Sequence, residues 1–452
     1  MISVVDATRA MLSRAPPLVL RFMGGAVWSV LGSVVSSGVT LIMLILVARL
    51  LGKQVYGQFV VIQSTLSMVG VFAGFGIGAT ATRYAAELKM RNTIRLGHIL
   101  TLAERTILGF GLMVSIGLVC AADWMAKHIL AAPGLGVSLA ISACAVLFTA
   151  LDSYQKSVLI GFESIRAFAI GTVISVIVGF PIMLLAAYKY GLRGAVVAMV
   201  VNAIIQASIS RYQMNRELRK YKITPHAKGC LSEWPVLWRF AVPALLAGAL
   251  VGPAHWAAQA MLANTPNGYA ELAVLGIAMQ WFNVIMFLPG TVGRVVLPIL
   301  TDQMTKNDHR SSRQILFYAM GANALVAVPL VVIVGVFSPL IMSLYGQSFE
   351  NEYLPLRLAV MIAMLVAIQL PVGDLIAAAS RMWLGAMMNA GWMFVYVGLA
   401  YFLVNKGATG VMIALGTGYV AHSIWVSLFI FKKMRTKDDH LQCLNLDTKN
   451  LD

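Results

Sequence analysis

Asp152 and Lys156 stand four residues apart within an otherwise apolar run, the spacing that brings two side chains together on one face of a helix. Glu104 and Arg105 are neighbours in a second such run, and Asp374 and Arg381 lie seven apart near the end of a third. Arg83 and Arg294 each close an apolar run. Charge is expensive in hydrocarbon, so ionisable groups inside apolar segments are the first candidates for function. Two kinds of chemistry are on offer. Carboxylates such as Glu104, Asp152 and Asp374 can exchange a proton or hold a small cation. A guanidinium presents a planar fork that matches phosphate. Several arginines and few unpaired acids point to a cavity suited to an anionic group, with Arg83, Arg105 and Arg294 as candidate contacts to its phosphate. Each of these residues also has a plainer reading, as a charge that snorkels to the interface or is paired locally.

Enzymatic constellations are absent from the sequence. There is no GxSxG elbow, no HExxH and no phosphate-binding P-loop. "GFGIG" at 74–78 has the glycines of a nucleotide loop, but it sits inside an apolar run with no strand before it. Its glycines are expected to let neighbouring helices approach closely. Cys120, Cys144, Cys230 and Cys443 are scattered, with no CxxC, so no disulfide framework, metal site or cofactor is expected.

The elements that carry these residues are membrane spans. Apolar residues make up 59% of the 452 and charged residues 12%, with a mean hydropathy of +0.81. That balance is too apolar for a soluble chain of this length. A spanning helix needs about 20 apolar residues, and twelve runs can be marked: 25–48, 58–81, 99–121, 136–158, 167–188, 192–212, 238–262, 272–297, 315–345, 356–379, 382–404 and 409–431. The first is too long for a signal peptide and reads as an uncleaved helix. The ninth contains Pro329 and Pro339 and is expected to bend or end early. Between the first two runs, Arg49, Lys53, Tyr56 and Gly57 mark a tight turn of a helical hairpin.

Charge bias predicts the orientation. The N-terminus, the connections after even-numbered runs and the tail hold 26 of the 34 Lys and Arg residues, against 7 on the other side. Both termini are therefore expected in the cytoplasm. The net charge of +16 needs no nucleic acid to explain it. No connection is long enough for a globular domain. The expected organisation is a cytoplasmic segment 1–24, a six-helix lobe 25–212, a basic linker 213–237, a second six-helix lobe 238–431 and a disordered cytoplasmic tail 432–452.

A weak internal echo supports the division. "VYGQFVVIQ" at 55–63 aligns with "GYAELAVLG" at 268–276, each a turn with a tyrosine followed by an apolar helix. Two repeats of one topology, related by an axis along the membrane normal, are a transporter architecture with the substrate site between the halves. The expected fold is thus all-α and integral to the membrane, with about twelve helices in two pseudo-symmetric lobes.

A first helix ending in "ARLLGKQVYGQFVV", followed by "GFGIGATATRYAAEL", resembles the polysaccharide transporter (Wzx-type flippase) branch of the multidrug/oligosaccharidyl-lipid/polysaccharide exporter superfamily. "GLRGAVVAMVV" at 191–201 and "AVPALLAGAL" at 241–250 extend the resemblance, which covers most of the chain to about residue 431. It implies an inner-membrane protein that moves an undecaprenyl-pyrophosphate-linked oligosaccharide to the periplasmic leaflet by alternating access. It also implies proton or sodium coupling and association with a polysaccharide polymerase and a chain-length regulator. The family has no sharp signature to transfer residue by residue, so the site residues rest on the intramembrane charges. A cation-coupled multidrug antiporter of the same superfamily is the alternative, but it would favour acids in the cavity. A membrane glycan polymerase or ligase is a third reading, which would need a sizeable periplasmic loop.

Overall fold

A computed structural model describes residues 17–74, 76–224, 229–235, 245, 249–306, 309–378 and 382–448, with backbone alone for 17–31, 294–295, 297–298, 302, 305, 309–310, 377–378, 382 and 429–448. Among the described residues twelve α-helices follow in chain order: α1 Pro17–Gly74, α2 Ile77–Leu88, α3 Thr93–His128, α4 Gly136–Gly161, α5 Ile165–Lys220, α6 Val251–Ala263, α7 Gly268–Thr305, α8 His309–Val336, α9 Ser338–Leu344, α10 Tyr353–Ala378, α11 Met382–Leu403 and α12 Gly407–Thr448. No strand occurs among the described residues. In hydrocarbon every backbone polar group must be satisfied within its own segment, and the helix does this.

These helices are not the twelve expected runs one for one. Eight stretches are long and apolar enough to cross a membrane among the described residues. Three of them, Gly32–Gly74, Ile165–Lys220 and Trp383–Leu428, are 43, 56 and 46 residues long. At 1.5 Å per residue each holds two crossings of a core about 30 Å thick. Each reverses at a glycine with positive φ: Gly52 (φ 74°), Gly191 (φ 57°) and Gly407 (φ 66°). The hairpin turn expected around Arg49, Lys53, Tyr56 and Gly57 is therefore made at Gly52 alone. Tyr56 is buried and Gly57 is helical. A one-residue reversal suffices because glycine reaches the left-handed region without a Cβ clash.

Two further expectations change. The second run does not continue to 81 as one helix. Gly76 takes a left-handed conformation (φ 62°) and α2 starts afresh at Ile77. "GFGIG" thus interrupts the helix instead of lying inside it. Close approach holds at Gly78, where a Cβ would lie 2.8 Å from Ser157 Oγ. The tail, expected to be disordered, is helical to Thr448. No glycine or proline follows Gly418, and extending an existing helix costs no new nucleation. The ninth run does end early, at Val336, before the short α9 with Pro339 in its first turn.

The chain forms two compact units, residues 1–252 and 253–452. In the first, α5 packs on α1 and α4, and α3 packs on α4. On α3, Leu108, Leu112, Met113, Ile116 and Val119 are exposed, while the buried face mixes Leu102, Ile107 and Leu118 with Ala103, Gly111, Ser115 and Ala122. The small residues on the buried face allow close packing, and the exposed apolar ones face lipid. In the second unit α10 packs on α7 and α8, and α12 packs on α11. Of the expected linker 213–237, residues 213–220 extend α5, and Cys230–Glu233 forms a 3-10 turn packed on α3.

Candidate functional site

One end of the first unit gathers basic residues from several elements. Lys89 donates to Glu163 at 2.8 Å, joining the turn after α2 to the turn after α4. Phe162 stacks on Tyr221 with ring centroids 5.3 Å apart, which brings in the end of α5. Arg95 makes a two-pronged contact to Glu233 at 2.9 and 3.1 Å, which fastens the linker to α3. Arg83 lies near this end on α2, exposed, with its guanidinium over the Tyr84 ring at 5.9 Å.

Deeper in the same unit the charges are matched. Asp152 is buried and accepts from Lys156 at 2.7 Å and from Ser210 Oγ at 2.6 Å. Lys156 also reaches Gln206 at 3.5 Å. Glu104 accepts from Arg211 at 2.6 Å. Buried Tyr154 donates to the Leu100 carbonyl at 2.8 Å, tying α4 to α3 in the same layer. The network is neutral as drawn, with two acids against two bases. Arg105 stands apart from it. It is exposed, and its guanidinium makes a long contact of 3.7 Å to Cys230 Sγ.

Among the described residues the second unit holds fewer charges but as many unmet buried polar atoms, five in each unit. Asp374 on α10 is partly exposed, and its Oδ2 has no hydrogen-bond partner among the described residues. A Cβ on Gly293 of α7 would sit 2.9 Å from that oxygen, so the glycine makes room for the carboxylate. Asn323 of α8 donates to the Ala367 carbonyl of α10 at 2.9 Å, while its fully buried Oδ1 has no partner among the described residues. The backbone of Arg294 lies within α7, but its side chain falls outside the description, and Arg381 lies outside the described residues.

Some residues were invisible to sequence spacing. Arg211 and Ser210 meet acids 107 and 58 residues away, so no local pattern announces them. Glu271 Oε2 accepts from the Ala408 backbone N–H at 2.7 Å and caps α12 from 137 residues away. His255 sits against Trp392 and Tyr396, with centroids 5.6 and 5.4 Å away. One signal was available. "GLRG" at 191–194 and "GATG" at 407–410 share a glycine pair and lie 216 residues apart. The first glycine of each pair makes the reversal. The second leaves space for a carbonyl, that of Ala186 or of Leu403, which a Cβ would strike. No group of three or more His, Cys, Asp or Glu that would hold a metal ion occurs among the described residues.

Three comparisons with known proteins bear on this arrangement. Residues 22–304 match the model of a family described as "Polysaccharide biosynthesis protein". The chain is 24% identical to the "EPS I polysaccharide export inner membrane protein EpsE" of Ralstonia nicotianae, over 94% of this chain and 96% of that one. Among solved structures it is similar to a multidrug resistance MATE family transporter of the MOP superfamily in an inward-facing conformation. That match has a TM-score of 0.75 at 15% identity and covers 89% of this chain and 95% of the other. It is also similar to the lipid II flippase MurJ in an inward closed conformation, with a TM-score of 0.70 at 15% identity, covering 90% of this chain and 87% of the other.

Proposed function

The chain belongs to the polysaccharide biosynthesis protein family and has the fold of the MOP-superfamily transporters, and from that premise we propose that it is a flippase for a lipid-linked oligosaccharide in the bacterial inner membrane. The observation that carries this reading is the family match over residues 22–304 on a molecule built from membrane-length helices. The relative named for polysaccharide export in the inner membrane supplies the glycan and the membrane. The flippase of like fold supports a lipid-borne cargo.

In this reading the cargo is carried on undecaprenyl pyrophosphate, and alternating access carries it across. The protein is a transporter and does no covalent chemistry. Its two units correspond to the two expected lobes, and both termini lie in the cytoplasm. The cargo's anionic group needs cations on a low-dielectric path. Arg83 and Arg294 are the proposed first contacts, and the basic end of the first unit is where the cargo is captured. The paired charges Glu104–Arg211 and Asp152–Lys156 hold the helices of the first unit in register. Arg105 stands on the exposed apolar stripe of α3, a face suited to bulk lipid. Asp374, with an unmet carboxylate oxygen, is the proposed coupling group for a proton or sodium ion. That oxygen also suits a cation-coupled drug antiporter, the runner-up.

Deletion of the gene tests the choice. The flippase reading expects loss of a surface glycan and a build-up of its lipid-linked precursor. Intact glycan together with raised drug sensitivity would favour the antiporter.

A further inference from the structure

We infer that α3 carries a binding site for an anionic phospholipid, in a groove formed by Arg105, Gly109 and Trp234. The groove lies wholly in the first unit and encloses about 290 Å³. One wall is α3, through Leu102, Arg105, Gly109 and Met113; the other is the linker, through Leu231 and Trp234. The inference is independent of what the protein transports.

Four features identify the occupant. First, Arg105 is an exposed cation at one end of an apolar stripe made by Leu108, Leu112, Met113 and Ile116. No carboxylate pairs with it among the described residues, and its long contact to Cys230 Sγ leaves most guanidinium donors unused. A phosphate satisfies that fork with two parallel hydrogen bonds. Second, helical side chains lean toward the helix N-terminus. Arg105 therefore reaches back toward the basic end of the unit, where Arg95 binds Glu233. It snorkels from within the span to the headgroup level. Third, Trp234 marks that level, as an exposed indole does at a membrane interface. Fourth, Gly109 opens the apolar side. A Cβ there would meet nothing within 4 Å, so the notch has room for the start of an acyl chain.

A volume of 290 Å³ is at the low end for small-molecule sites and accommodates a phosphate and glycerol. The groove continues into the exposed apolar stripe of α3, so the occupant we assign is a phospholipid of the surrounding bilayer, such as phosphatidylglycerol. Bound there, the lipid bridges α3 and the linker turn at Leu231 and Trp234.

The full-length purified protein, with lipids added in detergent, tests this by native mass spectrometry. Wild type should retain phosphatidylglycerol in preference to phosphatidylcholine. Arg105→Gln should weaken phosphatidylglycerol retention about five-fold or more, the effect of one basic residue at an anionic surface. Arg105→Lys should recover part of it. Gly109→Leu fills open space, so it should keep the thermal unfolding midpoint while blocking retention. That second variant decides the matter if Arg105→Gln fails to fold. Undiminished retention in Gly109→Leu, or equal retention of phosphatidylcholine by wild type, would overturn the site. So would undecaprenyl phosphate displacing phosphatidylglycerol from wild type but not from Arg105→Gln, since the groove would then belong to the cargo lipid.

Discussion

At the scale of single residues, the sequence marks where charge enters the membrane but not what meets it. The pair Asp152–Lys156 was legible because its spacing of four is local. The partners Ser210 and Arg211 were not, because they arrive from α5 through folding. The pairing matters for function, since a matched charge is a poor phosphate trap. A buried pair loses roughly 3 kcal/mol or more when one member is removed, because the other is left uncompensated. Asp152→Ala should therefore lower the amount of folded protein in the membrane. The double variant Asp152→Asn, Lys156→Gln should restore most of it, as read by detergent-solubilised size-exclusion yield. If the double variant fares worse than the single one, the pair is not a self-contained strut. Asp374 makes the opposite case, because its Oδ2 has no partner to lose among the described residues. Asp374→Asn should leave abundance unchanged and abolish any dependence of transport on the proton or sodium gradient. Transport that stays fully gradient-dependent would return Asp374 to a structural role.

At the scale of elements, long apolar runs marked the spans found among the described residues, and single glycines decided how several of them join. A reader of the sequence expects loops of several residues between spans. The chain instead reverses at Gly52 and Gly191 within otherwise continuous helix, and at Gly407 directly after the short 3-10 turn Val404–Lys406. The conformation at one glycine is not visible in composition. The recurrence of Gly-x-x-Gly at 191–194 and 407–410 was the available hint, and it lies nearly in register with the tyrosine echo. Tyr56 and Tyr269 of that echo are both buried just after a reversal, as partners in a repeat should be. A side chain at a left-handed position costs about 1–2 kcal/mol. At Gly407 it would also press on the Glu271 carboxylate that caps α12. Gly407→Val should therefore be more harmful than Gly191→Val, where nothing lies within 4 Å of the added Cβ. Thermal unfolding midpoints of the two purified variants check the order, and equal midpoints would remove the cap from the account. The break at Gly76 was missed for a related reason, since an apolar run with several glycines reads the same whether the helix continues or restarts.

At the scale of the whole molecule, composition alone separated a membrane protein from a soluble one, and charge bias supplied an orientation. The six-plus-six count expects two lobes parted by a linker at 213–237, whereas the two units part at Gly252, inside the run expected at 238–262. The linker turn at Cys230–Glu233 joins the first unit through contacts on α3 that no hydropathy pattern encodes. With 26 cationic residues on one side and 7 on the other, a reporter fused after Met434 should be cytoplasmic and one placed at 264–268 periplasmic. The reverse result at either fusion would overturn the orientation, and with it the capture of cargo at the basic end. The central claim concerns which leaflet the cargo occupies when the protein is missing. The direct measurement is the sidedness of the lipid-linked oligosaccharide in spheroplasts depleted of this protein, probed with a membrane-impermeant glycan-labelling reagent. The account predicts that the accumulated precursor stays shielded from the reagent until the membrane is opened. Precursor labelled in full from the outside would contradict it.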